Sequence, residues 1–392
     1  MLKKIVCNLC SLIILGTCLT SCTQNGKELE TITIDIENHC YVSLDNIVEK
    51  VDFVRLETTE DCIIGDISHL FFIDNKIIVA DQLTSQSIFV FDINGKFLNR
   101  ISHLGNGPHE YLDITDVDVT PSGLIVIKDN VKDKLLFFEP NGKFIKERID
   151  IEGGMDLAFI DEHSIAFDTF TSHAPTKEKF KGASLAVCDG DNNIQYLFGE
   201  NIAEENVFNV RRPECLYRYG NKAYFAPHWD KNIYEVTTDS IIAKYRIEFK
   251  PDDVLNYNFK TSDELHSLMS SYPFFNGSFI EMKDYTWLRY MSQEEISPSI
   301  LYSHKDKKTY SIYYEFNNPL YIYLQKPMTL YKGNTVAEVV PALYLYINKN
   351  AIEETLGESD FTNSLFSDFN LDDNPVVFLF TFKDDISKYV IK

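Results

Sequence analysis

Residues 87–98 read Ser-Ile-Phe-Val-Phe-Asp-Ile-Asn-Gly-Lys-Phe-Leu, and residues 134–145 read Lys-Leu-Leu-Phe-Phe-Glu-Pro-Asn-Gly-Lys-Phe-Ile. Each stretch places Asn-Gly-Lys between two apolar runs, and the two asparagines, Asn94 and Asn141, lie 47 residues apart. Asn-Gly between apolar runs is a strong signal for the turn of a β-hairpin. The two stretches therefore indicate a repeated antiparallel unit.

Weaker echoes of this unit follow at residues 184–194 and 232–241. Each unit holds four short apolar or alternating runs, and four antiparallel strands repeated every 40 to 50 residues are typical of a β-propeller blade. We therefore predict an all-β fold, a six-bladed β-propeller of four-stranded antiparallel blades. The predicted blades span residues 67–102, 114–151, 155–199, 215–249, about 278–316, and a sixth from about 328.

The sixth blade has candidate strands near Met328, at 336–340 and at 376–382, but no fourth strand follows them. Residues 51–57, Val-Asp-Phe-Val-Arg-Leu-Glu, can supply it. An amino-terminal strand that pairs with the last blade closes the ring and removes an open sheet edge. Residues 51–392 are thus predicted to form the propeller, with two small helical inserts at about 251–272 and 348–372.

The amino terminus has the pattern of an export signal. Two lysines precede an apolar run from Ile5 to Leu19, which is too short for a permanent membrane span, and Leu19-Thr20-Ser21-Cys22 follows. Residues 1–21 are predicted to be a lipoprotein signal peptide, with Cys22 lipidated and residues 22–50 a tether and lead-in. The partner of the lipid is then a membrane, and we expect an exported outer-membrane lipoprotein of either orientation. An ordinary cleaved signal with a chance cysteine is the alternative.

The net charge limits the possible binding partners, and the cysteine spacing limits the possible disulfide bonds. The net charge is −22, and because residues 1–21 carry two lysines and no acid, the rest of the chain carries about −24. Such a chain repels phosphate backbones, which argues against nucleic acid. Cys40, Cys62, Cys188 and Cys215 form no CxxC pair, so either a Cys40–Cys62 bridge or free thiols remain open.

Several stretches resemble a known family, the six-bladed β-propeller lipoproteins of Bacteroides-type bacteria, which are related to NHL-repeat propellers. The similar stretches are Phe53-Val-Arg-Leu-Glu57, Ile64-Gly65, Asp92-Ile-Asn-Gly-Lys-Phe97 and Gly105-Asn-Gly-Pro-His-Glu-Tyr111. The last is the most specific, although His109 stands where the family often has glycine. The resemblance implies a six-bladed ring on an envelope lipoprotein and no established activity.

Loop length predicts which face of the ring carries the functional residues. Turns between the first and second and between the third and fourth strands are short, whereas the other loops, on the opposite face, are long. Function on rigid scaffolds concentrates on long loops. We call this the loop face and the other the turn face. The predicted ligand-binding residues on the loop face are His103, Glu110, Tyr111, Arg211, Arg212, His228, Trp229 and Asp230.

Each of these residues also has a structural interpretation. Arg211 and Arg212 can pair with the protein's own acids, and residues 228–230 can pack on neighbouring loops. Glu110 can cap backbone amides at a crossing between blades one and two. Residues 189–193, Asp-Gly-Asp-Asn-Asn, have oxygen ligands for calcium but sit where turn formers are expected. No metal site, cofactor or catalytic residue is predicted.

The sequence favours a binding module for a glycan, a peptide or a partner protein of the envelope. The alternative is a propeller enzyme, a lyase, a lactonase or a glycan-active hydrolase with its site at the channel mouth. A purely structural envelope component is a third possibility. Convergent histidine and carboxylate side chains in the channel favour chemistry, whereas a flat aromatic rim favours binding.

Overall fold

A computed structural model of the chain describes residues 29–149, 154–169, 180, 182–199, 214–227, 230–257, 261–292, 298–314, 318–325 and 327–391. The described strands form six antiparallel four-stranded blades, two of which carry a fifth strand. This confirms the six-bladed β-propeller. Within the described ranges, no helix is both long and apolar enough to cross a membrane.

The chain enters along the outside of the ring. The first strands run parallel to the outer strands of blades four and five, and the third completes blade six. The alternating Ile32 and Ile34 are buried between blades, which explains why this segment is ordered. The sequence assigned it to a tether and lead-in, because its strands lie outside the four-strand repeat. The elements are β1 (Glu30–Asp35), β2 (Tyr41–Ser43), α1 (Leu44–Ile47) and β3 (Val48–Arg55).

Blades one to three follow the predicted repeat closely. Blade one contains β4 (His69–Ile73), β5 (Lys76–Asp81), β6 (Ser87–Asp92) and β7 (Phe97–Ile101). Blade two contains β8 (Asp116–Val119), β9 (Ile125–Asp129), β10 (Lys134–Phe138) and β11 (Phe144–Ile149). Blade three contains β12 (Leu157–Phe159), β13 (Ile165–Asp168), β14 (Leu185–Cys188) and β15 (Ile194–Phe198).

Blades four to six contain the helical inserts. Blade four has β16 (Leu216–Tyr219), β17 (Lys222–Phe225), β18 (Asn232–Val236) and β19 (Ile241–Lys250), and is followed by a 3-10 turn (Val254–Asn256) and α2 (Ser262–Met269). Blade five has β20 (Phe274–Glu281), β21 (Tyr285–Met291), β22 (Ser299–Ser303) and β23 (Thr309–Tyr313), then a 3-10 helix (Pro319–Gln325). Blade six has β24 (Thr329–Lys332), β25 (Thr335–Val340) and β26 (Val376–Phe382), with α3 (Ala342–Ile347), α4 (Lys349–Leu356) and α5 (Asp360–Phe366) between the last two and a 3-10 turn (Ser387–Tyr389) after them.

The ring closes as predicted. β3 pairs antiparallel with β26, from Arg55 opposite Val376 to Val48 opposite Phe382. Phe53 packs edge-on against Phe361 of α5, with ring centroids 4.9 Å apart. The closing strand therefore fills the outer position of blade six and also holds the second helical insert.

The Asn-Gly hairpins are bulged turns rather than two-residue turns. The carbonyl of Asp92 accepts a hydrogen bond from the amide of Gly95, whose φ is +87°, and the pairing of β6 with β7 shifts by one residue beside it. Gly142 adopts a φ of +85° at the equivalent place in blade two. A type I turn followed by a left-handed glycine gives this bulge. The repeated glycine is needed for the bulge because glycine reaches positive φ without a steric penalty.

Most of the core lies between neighbouring blades. One cluster joins blades one and two through Ile78, Val90 and Leu136, and the largest joins blades five and six with α4 and α5. Each blade is thus an apolar layer that is covered on both sides by its neighbours. The first strand of each blade lies innermost, and successive first strands contact each other around the axis.

Candidate functional site at the loop-face end of the channel

The inner strands bring polar side chains to one end of the central channel. Each inner strand begins at the loop face, so residues at or just before its start lie at that end. His69 begins β4, Asp116 begins β8, and Glu214 precedes β16. They come from three different blades and line one small pocket of about 80 Å³, open to solvent, together with Leu157, Arg218 and Thr329.

His69 and two carboxylates meet at a single nitrogen. The Nε2 atom of His69 lies 2.6 Å from Oε1 of Glu214 and 3.2 Å from Oδ1 of Asp116. We call these three residues the channel triad. Burial alone would lower the pKa of His69, but the charge of Glu214 and the hydrogen bond with Asp116 raise it well above its ordinary value. The Nδ1 atom of His69 is buried and has no hydrogen-bond partner.

Backbone amides hold the carboxylates in place. Oδ2 of Asp116 accepts a hydrogen bond from the amide of Leu157 at 2.7 Å, and Oδ2 of Asp118 accepts one from the amide of Phe159 at 2.8 Å. Asp116 and Asp118 therefore join the inner strands of blades two and three. The other oxygen of Asp116, Oδ1, accepts the amide hydrogen of Val117 at 2.8 Å and also faces His69.

Asp156 repeats this arrangement between blades three and four. Its Oδ2 atom accepts a hydrogen bond from the amide of Cys215 at 2.7 Å. Burial raises the pKa of Asp156 well above its ordinary value, and the carboxylates of Asp168 and Asp116 act in the same direction. A carboxyl group with a raised pKa thus lies near other carboxyl groups, an arrangement found in sites that move protons as well as in structural clusters.

Asp118 and Arg218 occupy the channel below the triad. Burial raises the pKa of Asp118, and the guanidinium of Arg218 opposes this. The Nε atom of Arg218 is 3.5 Å from Oδ1 of Asp118, and both side chains are mostly buried. The channel mouth is therefore acidic, since the carboxyl groups of Asp116 and Glu214 both contact one imidazole and Asp156 lies near these two carboxyl groups.

In the predicted site at Gly105–Tyr111, the described side chains contact other parts of the protein itself. Gly107 donates its amide to Oε2 of Glu110 at 2.5 Å, so Glu110 caps this crossing between blades. Tyr111 is fully buried and donates its hydroxyl to the carbonyl of Gln86 at 2.7 Å. The ring of His103 packs on Phe138, with centroids 5.2 Å apart. Tyr111 is therefore part of the core rather than of a ligand surface.

The remaining predicted residues lie mainly outside the described part of the chain. These are Cys22, Arg211, Arg212, His228 and Trp229. Asp230 is described, and its carboxylate accepts hydrogen bonds from the amide of Asn232 at 2.9 Å and the hydroxyl of Tyr234 at 2.7 Å. Asp189 likewise accepts from the amides of Asp191 and Asn193, as a turn former does.

Sequence reasoning missed the channel triad and Asp156. The available signal was the repeat itself, since His69 and Asp116 stand 47 residues apart, the same step that separates the Asn-Gly turns. A polar residue at the entrance of successive inner strands marks the channel. Without the strand register, a lone histidine and a lone aspartate do not indicate a common site.

Fold and site together define a six-bladed β-propeller with an acidic channel mouth. The chain belongs to the family described as domain of unknown function DUF4934, whose model matches residues 29–381. No curated protein matches the sequence.

Two solved structures share the architecture. An exported protein from Bacteroides fragilis is 19% identical, with a TM-score of 0.71 over 90% of this chain and 99% of that chain. A member of the DUF4221 family from Bacteroides vulgatus is 14% identical, with a TM-score of 0.50 over 88% of this chain and 99% of that chain. At these identities the likeness shows the fold.

Proposed function

We propose that this protein is an exported binding module of the cell envelope whose ligand site is the loop-face end of the channel. The convergence of His69, Asp116 and Glu214 from three blades in one open pocket supports a ligand site there, and the acidity of that pocket carries the binding proposal. Because convergent histidine and carboxylate groups also favour chemistry, catalysis remains a second candidate. Because the mouth is acidic, it suits a group that carries positive charge. A peptide or partner protein that presents lysine or arginine, or a glycan with an amino group, meets this requirement.

Loop length supports the same face. The hairpin between β6 and β7 needs only residues 93–96, whereas residues 341–375 between β25 and β26 hold three helices. Long loops around a concave polar pocket are the usual setting of ligand sites.

The export signal and Cys22 place the protein on a membrane in this proposal, with the outer membrane as the expected location. Labelling with palmitate tests the anchor. Label should enter the parent and be absent from Cys22→Ala, which should leave the membrane fraction. Continued labelling of Cys22→Ala would contradict lipidation at this residue.

A binding screen tests the site. The chain that starts at residue 23 is applied to arrays of defined glycans and of peptides with and without lysine and arginine, in the presence of EDTA. Glu214→Gln should weaken the binder that is found by tenfold or more, which is about 1.4 kcal/mol. Asn141→Ala, on the turn face, is the matched control and should leave affinity unchanged.

Two residues that the sequence predicts on the loop face, Trp229 and Arg212, belong in the same screen. Trp229→Ala and Arg212→Ala should also weaken binding, because aromatic and arginine anchors carry large binding terms. Sensitivity of Asn141→Ala together with silence of Glu214→Gln would contradict the assignment of the loop face.

Acid–base catalysis is a second candidate, favoured by the raised pKa values of His69 in the pocket and of Asp156, which interacts with Asp116 and Glu214 of the channel triad. Paired groups whose environments favour different protonation states can act as acid and base. Assays with lactone, glycan and lyase substrates test it. Turnover that Asp156→Asn abolishes while folding is retained would support an enzyme, and lack of turnover with all three classes would contradict it.

A further inference from the structure

The donor atoms of the channel triad form a set that matches a metal site. One oxygen of Asp116, one oxygen of Glu214 and one ring nitrogen of His69 all lie within 4.8 Å of one another. We propose that the channel triad binds a divalent first-row transition metal ion, such as Zn²⁺ or Mn²⁺. The inference rests on the proposed function, since it names a ligand of the same pocket.

Hydrogen bonding to His69 alone does not satisfy both carboxylates of the channel triad. Both carboxylates approach the same atom, Nε2 of His69, at 2.6 Å and 3.2 Å. An imidazole nitrogen carries at most one hydrogen, so it can make only one good hydrogen bond at a time. A cation among the three donor atoms attracts all of them at once, and its two positive charges balance the two carboxylates.

The spacing of the donor atoms is close to that of a coordination sphere. Metal bonds of about 2.0–2.2 Å in tetrahedral geometry place two ligand atoms about 3.3–3.6 Å apart. The distance from Nε2 of His69 to Oδ1 of Asp116 is 3.2 Å, just below this range. The distance from Nε2 to Glu214 must increase by about 0.7–1.0 Å to reach that spacing. The side chain of Glu214 is 45% exposed and has solvent on one side into which it can shift.

A second observation concerns how Asp116 is supported. Its other oxygen accepts the amide hydrogen of Leu157 at 2.7 Å. Carboxylates that bind metals are commonly held in this way by outer hydrogen bonds, which fix the ligating oxygen. Asp116 is thus oriented by the backbone of the next blade before any ion binds, and Oδ1, the proposed ligand atom, is held as well by the amide of Val117 at 2.8 Å.

The ligand types favour one class of ion. Imidazole suits zinc, iron and nickel, and carboxylates suit manganese as well as the harder calcium and magnesium ions. A mixed set with a histidine therefore favours a first-row transition ion over calcium. Three protein ligands at a pocket open to solvent leave positions for a further ligand, as in metal sites that bind substrates.

Calorimetric titration tests the inference on the chain that starts at residue 23, with Cys40→Ser as the background so that the exposed thiol takes no metal. The protein is stripped with EDTA, dialysed and titrated with Zn²⁺, Mn²⁺ or Ca²⁺. We expect one equivalent of Zn²⁺ or Mn²⁺ to bind and Ca²⁺ to bind at least tenfold more weakly. The melting temperature should rise with bound metal.

Matched variants locate the ion. His69→Ala and Glu214→Gln should each weaken binding by tenfold or more. His109→Ala is the control, because Nδ1 of His109 lies 4.0 Å from Glu147 and, within the part of the chain that the structure describes, this pair belongs to no group of three metal-ligating side chains. Glu214 is partly exposed, so Glu214→Gln keeps the test decisive where His69→Ala fails to fold. Circular dichroism verifies the fold of each variant.

The inference is overturned if the folded parent shows no saturable uptake of Zn²⁺ or Mn²⁺, or if uptake is the same in Glu214→Gln as in the parent. Its failure can be told from that of the proposed function. A peptide or glycan that binds in EDTA while no metal binds supports the binding module and overturns the metal site. Metal uptake that depends on Glu214, with no binder in the screen, supports the metal site and contradicts the binding module.

Discussion

Gly95 lies directly against the backbone of Arg55. A Cβ atom on Gly95 would be 2.0 Å from the carbonyl oxygen of Arg55, and the carbonyl of Gly95 accepts the amide hydrogen of Glu57 at 2.8 Å. The first Asn-Gly turn of the repeat therefore supports the end of the strand that closes the ring. The equivalent Gly142 instead faces the flexible side chain of Asn99.

Gly95→Ala should destabilise the protein more than Gly142→Ala. Both changes place a Cβ at almost the same positive φ, which costs about 1–2 kcal/mol. Only at Gly95 does the new atom meet a backbone oxygen, and overpacking adds about 1–3 kcal/mol. Urea denaturation of both variants measures the difference, and equal free energies of unfolding would contradict the contact with Arg55.

Removal of the closing strand should lower the melting temperature of the whole ring. A chain that starts at residue 58 lacks β3, so it exposes the edge of β26 and uncovers apolar surface in blades one and six. Thermal melts compare it with the chain that starts at residue 29. Addition of a separate peptide of residues 29–57 should raise the melting temperature again. A truncated chain that melts like the longer one would rule out β3 as the closure.

Asp81 should stabilise the fold in a pH-dependent way. Burial raises its pKa, but hydrogen bonds from the amides of Thr84 and Gly65, each 2.9 Å, outweigh burial and lower the pKa below its ordinary value. A carboxyl whose pKa falls on folding contributes stability above its unfolded pKa, and this is lost as the pH falls through the folded pKa.

Asp81→Asn should therefore lower the free energy of unfolding at pH 7, and its difference from the parent should shrink below about pH 4, near the unfolded pKa of aspartate. Denaturation at a series of pH values measures this difference. Asp61→Asn changes an exposed carboxylate and is the control. A difference in the free energy of unfolding between the parent and Asp81→Asn that stays constant from pH 7 to pH 3 would contradict the role of the ionised carboxylate.

Thiol labelling should distinguish Cys40 from the other cysteines. Cys40 is exposed, whereas Cys62, Cys188 and Cys215 are buried, and none of these four described cysteines forms a disulfide bond. Burial raises the pKa of the Cys62 thiol to about 12, which suppresses its reactive thiolate. In the native chain from residue 23, one thiol should react at pH 8, and none in Cys40→Ser.

Denaturation should then release four reactive thiols. A count of two without reductant would instead indicate a bond between Cys40 and Cys62, the pairing that the sequence left open.

The sequence was sufficient for the ring because its evidence is local. Asn94-Gly95 and Asn141-Gly142 mark hairpins through their own backbone preferences, and the 47-residue step gives the blade. The closing strand could also be predicted, since a blade without a fourth strand leaves an edge. These inferences need no knowledge of which blades touch.

The channel site could not be predicted in the same way. The two Asn-Gly turns look equivalent in sequence, yet one meets Arg55 and the other Asn99, because only the first lies beside the closing strand. His69, Asp116 and Glu214 are likewise brought together by ring closure and strand register. Residues 30–43 escaped prediction because they pair parallel, as fifth strands, outside the repeat.

β1 and β2 also decide how the ring responds to tension. A pull on residue 29 acts first on the six residue pairs between β1 and β19, from Glu30 opposite Tyr245 to Asp35 opposite Lys250. It then reaches β2, which is held by β23 on one side and by a bridge from Val42 to Val390 near the other end of the chain. Only after both have detached does force reach β3. Under a pull at residue 29 we therefore expect β1 and β2 to detach before β3 separates from β26 and opens the ring.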